Sequence, residues 1–327
     1  HTLPTFRKPG LKTLLTVHDL GAEYLPNTHK LKQRLYLGFM TYYQLKTATH
    51  LIAVSEATKK DIVKKVGIDS SKITVIYEGL NQLTANRLPS IDENNAKYPD
   101  NFYSDINDIK SDILNKLDLT SKKYFLFVGT IQPRKNLERL IKSFAQFLLE
   151  YYSVIPSKAR NLQISRSASW RARDDTKAGV QKLVIVGGKG WLSDSIYELP
   201  KKLGIEDRVI FTGRLSDEEV AKLYQNATAL TFPSLFEGFG LPILEAFAYQ
   251  CPVITSNVSS MPEVAGDAAI LVDPENINEI SDAMVKVAKN DILRNTLIHK
   301  GSIQLKKFSW KKCAQETLHL FNVLCIK

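Results

Sequence analysis

Short apolar runs alternate with longer stretches of helical periodicity along the whole chain. Three runs rich in β-branched and aliphatic residues lie in the first third: TLLTV (13–17), HLIAV (50–54) and ITVIY (73–77). Each is followed by a polar or glycine-bearing turn, which predicts strands. Six more follow: YFLFV (124–128), KLVIV (182–186), RVIFT (208–212), ALTF (229–232), PVIT (252–255) and AILV (269–272). Strands alternating with helical stretches are the sign of βαβ units and parallel sheets, and nine strands in two groups fit two sheets better than one.

Between the groups, residues 81–115 are polar, rich in Asn and Asp, and carry two prolines, so they read as a linker or long loop. The expected division is a first domain over 1–115, a second over 116–305, and a terminal segment over 306–327. That last segment has apolar residues at helical spacing and is expected to cross back onto the first domain. A basic, Ser- and Arg-rich stretch at 153–179 interrupts a short step between the helix at 137–150 and the next strand, and reads as an insertion.

At 327 residues the chain exceeds one ordinary domain. Its 44% hydrophobic and 24% charged composition is that of a globular protein. The formal charge of +10 points to anionic partners, with small molecules ranked before lipid headgroups, and nucleic acid last for want of a recognition motif. Cys251, Cys313 and Cys325 lie far apart, which suggests neither a zinc site nor a disulfide framework and fits a reducing compartment. No run of eighteen apolar residues is present, and the N-terminus lacks a signal-peptide layout. The expected location is cytoplasmic. Helix 30–46 has two readings: ordinary packing, which is favoured, or peripheral contact with the inner face of an anionic membrane.

Two constellations carry chemistry. In YFLFVGTIQPRKNLERLIKSF (124–144) a strand runs through a turn at Gly129 into Arg134 and Lys135, just before a helix for which Asn136 is the expected N-cap. Two cations at the positive end of a helix are unfavourable unless an anion arrives, and a diphosphate would satisfy both. In LTFPSLFEGFGLPILEAFAYQCPVITS (230–256), Glu237 lies in a glycine-bearing loop and Glu245 in the opening turns of a helix begun by Pro242. The two carboxylates can address different parts of one ligand, while Gly238 and Gly240 let the backbone approach it.

These residues carry a family resemblance. FVGTIQPRKN, FTGRLSDEEVAKLY, PSLFEGFGLPILEA and MPEVAGDAAILVDP, in this order, resemble the retaining group 1 (family 4, E-x7-E) glycosyltransferases that include sucrose synthase and bacterial mannosyl- and rhamnosyltransferases. The resemblance implies an α/β fold of the GT-B type, two facing Rossmann-like doubly wound domains with a cleft between them. It also implies roles for residues. Arg134 and Lys135 clamp the donor diphosphate, Glu245 holds the ribose, and Glu237 lies by the donor sugar. Gly129 and the Gly238, Phe239, Gly240, Leu241 amides line the sugar and phosphate, and Gly213, Arg214 and Leu215 lie near the nucleobase. His18, in TLLTVHDL, points toward the donor sugar; alone it would read as a structural histidine. Ser55 and Glu56 are read as structural, Ser55 as a helix cap.

The implied reaction transfers a hexosyl group, with mannose from GDP-mannose as the first expectation, to a saccharide or lipid-linked acceptor of an envelope polysaccharide or lipopolysaccharide pathway. It needs no metal or other cofactor, and no Asp-x-Asp pair follows a strand to hold one. Relatives begin with further strands and a glycine-rich loop, so the first domain is expected to be incomplete, with an exposed strand edge and a partial acceptor site. A nucleotide-sugar binding fragment without turnover is the alternative. A nicotinamide-dependent oxidoreductase is disfavoured because VIVGGKG lacks the full G-x-G-x-x-G spacing.

Overall fold

The computed structural model describes residues 11–20, 41–80, 112–152, 181–191 and 193–326. The linker core and the insertion read from the sequence, and most of helix 30–46, lie outside these. All nine anticipated strands form, with ends shifted by two residues at most. In the first lobe β1 (Leu14–Val17), β2 (His50–Ala53) and β3 (Ile73–Val75) pair in parallel in that order. In the second lobe β4 (Tyr124–Val128), β5 (Lys182–Val186), β6 (Val209–Gly213), β7 (Ala229–Phe232), β8 (Val253–Ser256) and β9 (Ala269–Val272) form one parallel sheet in the order β6-β5-β4-β7-β8-β9. Counted within the lobe this is 3-2-1-4-5-6, the doubly wound order whose direction of winding reverses between β4 and β7.

Helices cover both faces of the larger sheet, so β4 is apolar along its length and fully buried over Tyr124–Phe127. Phe127 stacks on Phe232 of β7 at 5.8 Å, and Phe125 meets Phe147 edge-on at 5.0 Å. Phe147 belongs to α3 (Leu137–Tyr152), which follows α1 (Glu56–Asp61) and the short α2 (Ile113–Lys116). The remaining helices are α4 (Asp194–Lys202), α5 (Asp217–Asn226), α6 (Leu241–Ala248), α7 (Met261–Ala265), α8 (Ile277–Lys289), α9 (Asp291–Leu305) and α10 (Trp310–Ile326). Local caps set several starts. Ser55 Oγ accepts the Thr58 N–H at 3.0 Å, as expected for α1, and Ser216 with Glu219 forms a capping box that opens α5 directly after Gly213–Leu215.

The lobes meet through a ring cluster. Tyr77, just past β3, packs 6.3 Å from Phe239 and 5.4 Å from Phe308, which are themselves 5.7 Å apart. Val54 and Leu80 of the first lobe are part of the second lobe's core. The final helix runs beside β3, sharing a groove lined by Thr74, Ile76, Glu316 and His319, and Lys12 donates to the Leu324 carbonyl at 2.6 Å. Where it begins, the backbone of Ser309–Trp310 lies against Gly79 so closely that a Cβ there would overlap the Trp310 nitrogen.

Gly79→Ala should therefore cost about 1–3 kcal/mol through forced displacement of the α10 start. Calorimetric melting checks this; an unchanged midpoint would contradict the close approach.

Candidate active site

The strand order directs the loops after β4 and β7 apart above the sheet, which opens a crevice at their carboxyl ends. Both motif loops enter it. After β4 the chain makes a 3₁₀ turn over Pro133–Lys135 before α3 starts. Asn136 stands at the expected start position, since its carbonyl accepts the Leu140 N–H at 3.1 Å, but it is not a side-chain cap. Its backbone is left-handed (φ 60°), and its amide nitrogen donates instead to the Pro233 and Pro274 carbonyls at 3.0 and 2.6 Å. Those bonds fasten the β4 loop to the β7 and β9 loops.

Arg134 and Lys135 do not wait unpaired. Arg134 Nη1 donates to Glu237 Oε2 at 2.6 Å, and Lys135 Nζ to Glu237 Oε1 at 2.7 Å. The expectation of two cations lacking an anion is corrected here: Glu237 is the resident counter-ion. Its side chain and that of Lys135 are each 8% exposed, and Arg134 is 24% exposed. Lys135 reaches this place along Gly129, whose missing Cβ would stand 3.6 Å from Lys135 Cε, and its ammonium lies 4.8 Å from the Phe232 ring centre. Burial pushes the Lys135 ammonium below its ordinary value, and the Glu237 charge works against that shift.

Glu245 lies on α6, begun by Gly240 (φ 108°) and Pro242 as expected. It does not join the cation pair: Tyr224 of α5 donates to Glu245 Oε2 at 2.9 Å, and Tyr224 stacks on Tyr249 at 5.8 Å. Burial raises the Glu245 carboxyl above its usual range, against the Tyr224 hydrogen bond; the Lys135 charge also reaches it. The turn after β6 stands on the same edge. The Gly213 carbonyl accepts the Gly187 N–H at 2.9 Å, Gly213 has φ 73° with open space where a Cβ would be, Arg214 is exposed, and Leu215 packs on the core.

The first lobe supplies the facing wall. His18 follows β1, and its carbonyl comes so close to Gly238 that any Cβ on Gly238 would overlap it. Its imidazole is 70% exposed and bonded through Nδ1 to Glu78 Oε1 at 2.8 Å. That hydrogen bond raises the His18 pKa above 6.5, opposed by burial and aided by the Glu78 and Asp19 charges. Glu78, Tyr224, Thr58, Ser259, Ser260 and Glu263 escape a reading of the sequence. Tyr224 and Glu263 stand inside the quoted motifs and Glu78 is an acid just past a strand run, but their partners lie at least 21 positions along the chain and nothing local names them.

Two family models match the chain: Glycosyl transferases group 1 over residues 110–303, and Glycosyltransferase Family 4 over residues 1–82. O-antigen chain mannosyltransferase B of Escherichia coli is 26% identical over 313 residues, covering 96% of this chain and 71% of the relative. O-antigen chain mannosyltransferase RfbU of Salmonella typhimurium is 28% identical over 294 residues, covering 87% of this chain and 65% of the relative, just under two thirds of its length. Among solved structures, Anabaena Alr3699/HepE, crystallised with UDP-glucose, superposes with a TM-score of 0.67 at 17% identity, covering 95% of this chain and 72% of that one. At that identity the likeness speaks for the fold alone, two facing α/β lobes of the GT-B kind.

Glu237→Gln should leave the buried Lys135 and the part-exposed Arg134 without their counter-ion and cost about 3 kcal/mol of stability. Urea unfolding checks this, and added pyrophosphate should recover part of the deficit; a variant as stable as the parent would refute the counter-ion assignment. For His18, the pair with Glu78 adds stability that is fully present below pH 6.5 and is lost as pH rises through the raised folded value. In Glu78→Gln the His18 titration, followed by NMR, should move down toward 6.5; no movement would show that Glu78 does not govern it.

Proposed function

The chain belongs to the group 1 glycosyl transferases, and on that premise we propose that it moves a mannosyl group from GDP-mannose to a saccharide or lipid-linked acceptor with retention of anomeric configuration. The observation that carries this reading is the Arg134–Lys135–Glu237 cluster at the point where the sheet's winding reverses, with Glu245 and the Gly213 turn on the same edge. A nucleotide diphosphate laid across that edge meets Glu245 with its ribose, the Gly213–Leu215 turn with its base, and the two cations with its phosphates.

The bond between the anomeric carbon and the phosphate oxygen breaks, and its electron pair stays on that oxygen. Arg134, Lys135 and the amides of 238–241 take up the growing negative charge, in the part a divalent ion plays elsewhere. As donor phosphate draws the cations toward itself, the Glu237 carboxylate is left beside the sugar and supports its oxocarbenium-like character. An acceptor hydroxyl attacks from the leaving-group face, and its proton passes to the departing phosphate. His18, held by Glu78, lies toward the sugar from the opposite lobe. Mannose is supported by the relatives' mannosyltransferase names, and a nucleotide-sugar donor by the UDP-glucose held by the Anabaena structure.

A thermal-shift panel of nucleotide diphosphate sugars tests this, with GDP-mannose expected to stabilise the parent most and Arg134→Ala and Lys135→Ala to lose that gain. Equal stabilisation of parent and variants would overturn the clamp. NMR of the product's anomeric proton decides retention.

A further inference from the structure

In the loop from Glu237 to Leu241 the first three carbonyls are tied down by hydroxyls. The Glu237 carbonyl accepts from Ser259 Oγ at 2.6 Å and Ser260 Oγ at 2.9 Å, and the Phe239 carbonyl from Ser260 Oγ at 2.8 Å. The Gly238 carbonyl accepts from Ser55 Oγ at 2.7 Å and Thr58 Oγ1 at 3.2 Å. The N–H groups of Gly238, Phe239, Gly240 and Leu241, by contrast, donate no hydrogen bond among the described residues. In a planar trans peptide a carbonyl and the N–H that follows it point in opposite directions. Holding the carbonyls of 237, 238 and 239 therefore fixes the aim of the next three amides, away from the hydroxyls.

Two of these four hydroxyls come from the other lobe. Ser55 and Thr58 are fully or almost fully buried at the start of α1. Ser55 already accepts the Thr58 N–H as the helix cap, and its one proton has two acceptors in reach, the Gly238 carbonyl at 2.7 Å and Thr58 Oγ1 at 3.0 Å, of which the carbonyl is the nearer. An aspartate would cap α1 equally well but has no proton to offer the Gly238 carbonyl. Glu263 of α7 reinforces the junction in the other direction, accepting the Glu56 and Ala57 N–H groups at 2.8 and 3.2 Å. The α1 start is thus bonded to the second lobe at two places, donating to the Glu237 loop from its hydroxyls and to Glu263 of α7 from its amides.

We propose that Ser55 and Thr58 are positioning residues of the donor site, reaching across from the first lobe to hold the Gly238 carbonyl and so aim the Phe239 amide, between the 238 and 240 amides that Ser259 and Ser260 set, at the distal phosphate and sugar of the donor. The inference rests on the donor-site reading above. It makes the sugar end of the donor depend on the lobes being together, whereas the nucleoside end, at Glu245 and Gly213, depends on the second lobe alone.

Isothermal titration calorimetry on the full chain separates these ends, with GDP-mannose and UDP-glucose as the complete probes and GMP and UMP as the truncated ones. The Ser55→Ala/Thr58→Val double variant should bind the parent's preferred nucleotide sugar about tenfold more weakly, as expected for two lost hydrogen bonds, with little change for the monophosphate. Ser55→Thr and Thr58→Ser, which keep a hydroxyl, should bind like the parent, and Thr58→Val, with the α1 cap intact, should fall between. Unchanged nucleotide-sugar binding in the double variant would overturn the inference, as would an equal loss for sugar and monophosphate, the mark of general disruption. A parent chain that binds none of the four probes would remove the donor-site reading and this inference with it.

Discussion

The site is organised around a carboxylate that two cations share inside the protein. Taking Lys135 and Glu237 out of water costs several kcal/mol per ion, and their attraction returns that only with good geometry. The geometry is good: both carboxylate oxygens are used, each by a different cation, at 2.6 and 2.7 Å. Such an arrangement is a poor way to gain stability, since apolar residues of similar size would serve as well or better. What it does provide is two cations held close together beside one acid where the β4 and β7 loops meet, with much of their desolvation already met by the fold.

The same pair shapes the backbone around it. Glycine at 129 gives the Lys135 stem its path, and the left-handed Asn136 lets the 3₁₀ turn pass straight into α3 while its side chain fastens three loops. On the other side of the pair, the loop bearing Glu237 is held by hydroxyls at each of its next carbonyls. Precision at the charged centre is thus supplied by neutral groups whose hydrogen bonds are short and buried.

Much of this was legible in the sequence. All nine strands follow from apolar runs, because burial in a parallel sheet writes itself into consecutive residues. The order of the motifs located the crevice through Arg134, Lys135, Glu237 and Glu245. What stayed hidden was pairing. Nothing near Arg134 announces that Glu237, 103 positions away, is its partner, and nothing near Glu245 announces Tyr224. Asn136 shows the limit most clearly: its position at the start of α3 could be read from local rules, but its side chain follows carbonyls 97 and 138 residues away.

The Glu263 clasp on α1 has a bearing on how the molecule is made. Ribosomal synthesis runs from the first lobe to the second, and the amide of Glu56 is 207 positions ahead of the carboxylate that receives it. At usual elongation rates that gap lasts roughly 10–40 s. During this interval the α1 amides and the Tyr77 ring of the first lobe are made but still without their mates. The burden of keeping the early half out of trouble falls on whatever shields an emerging polypeptide, until the later half arrives to close over it.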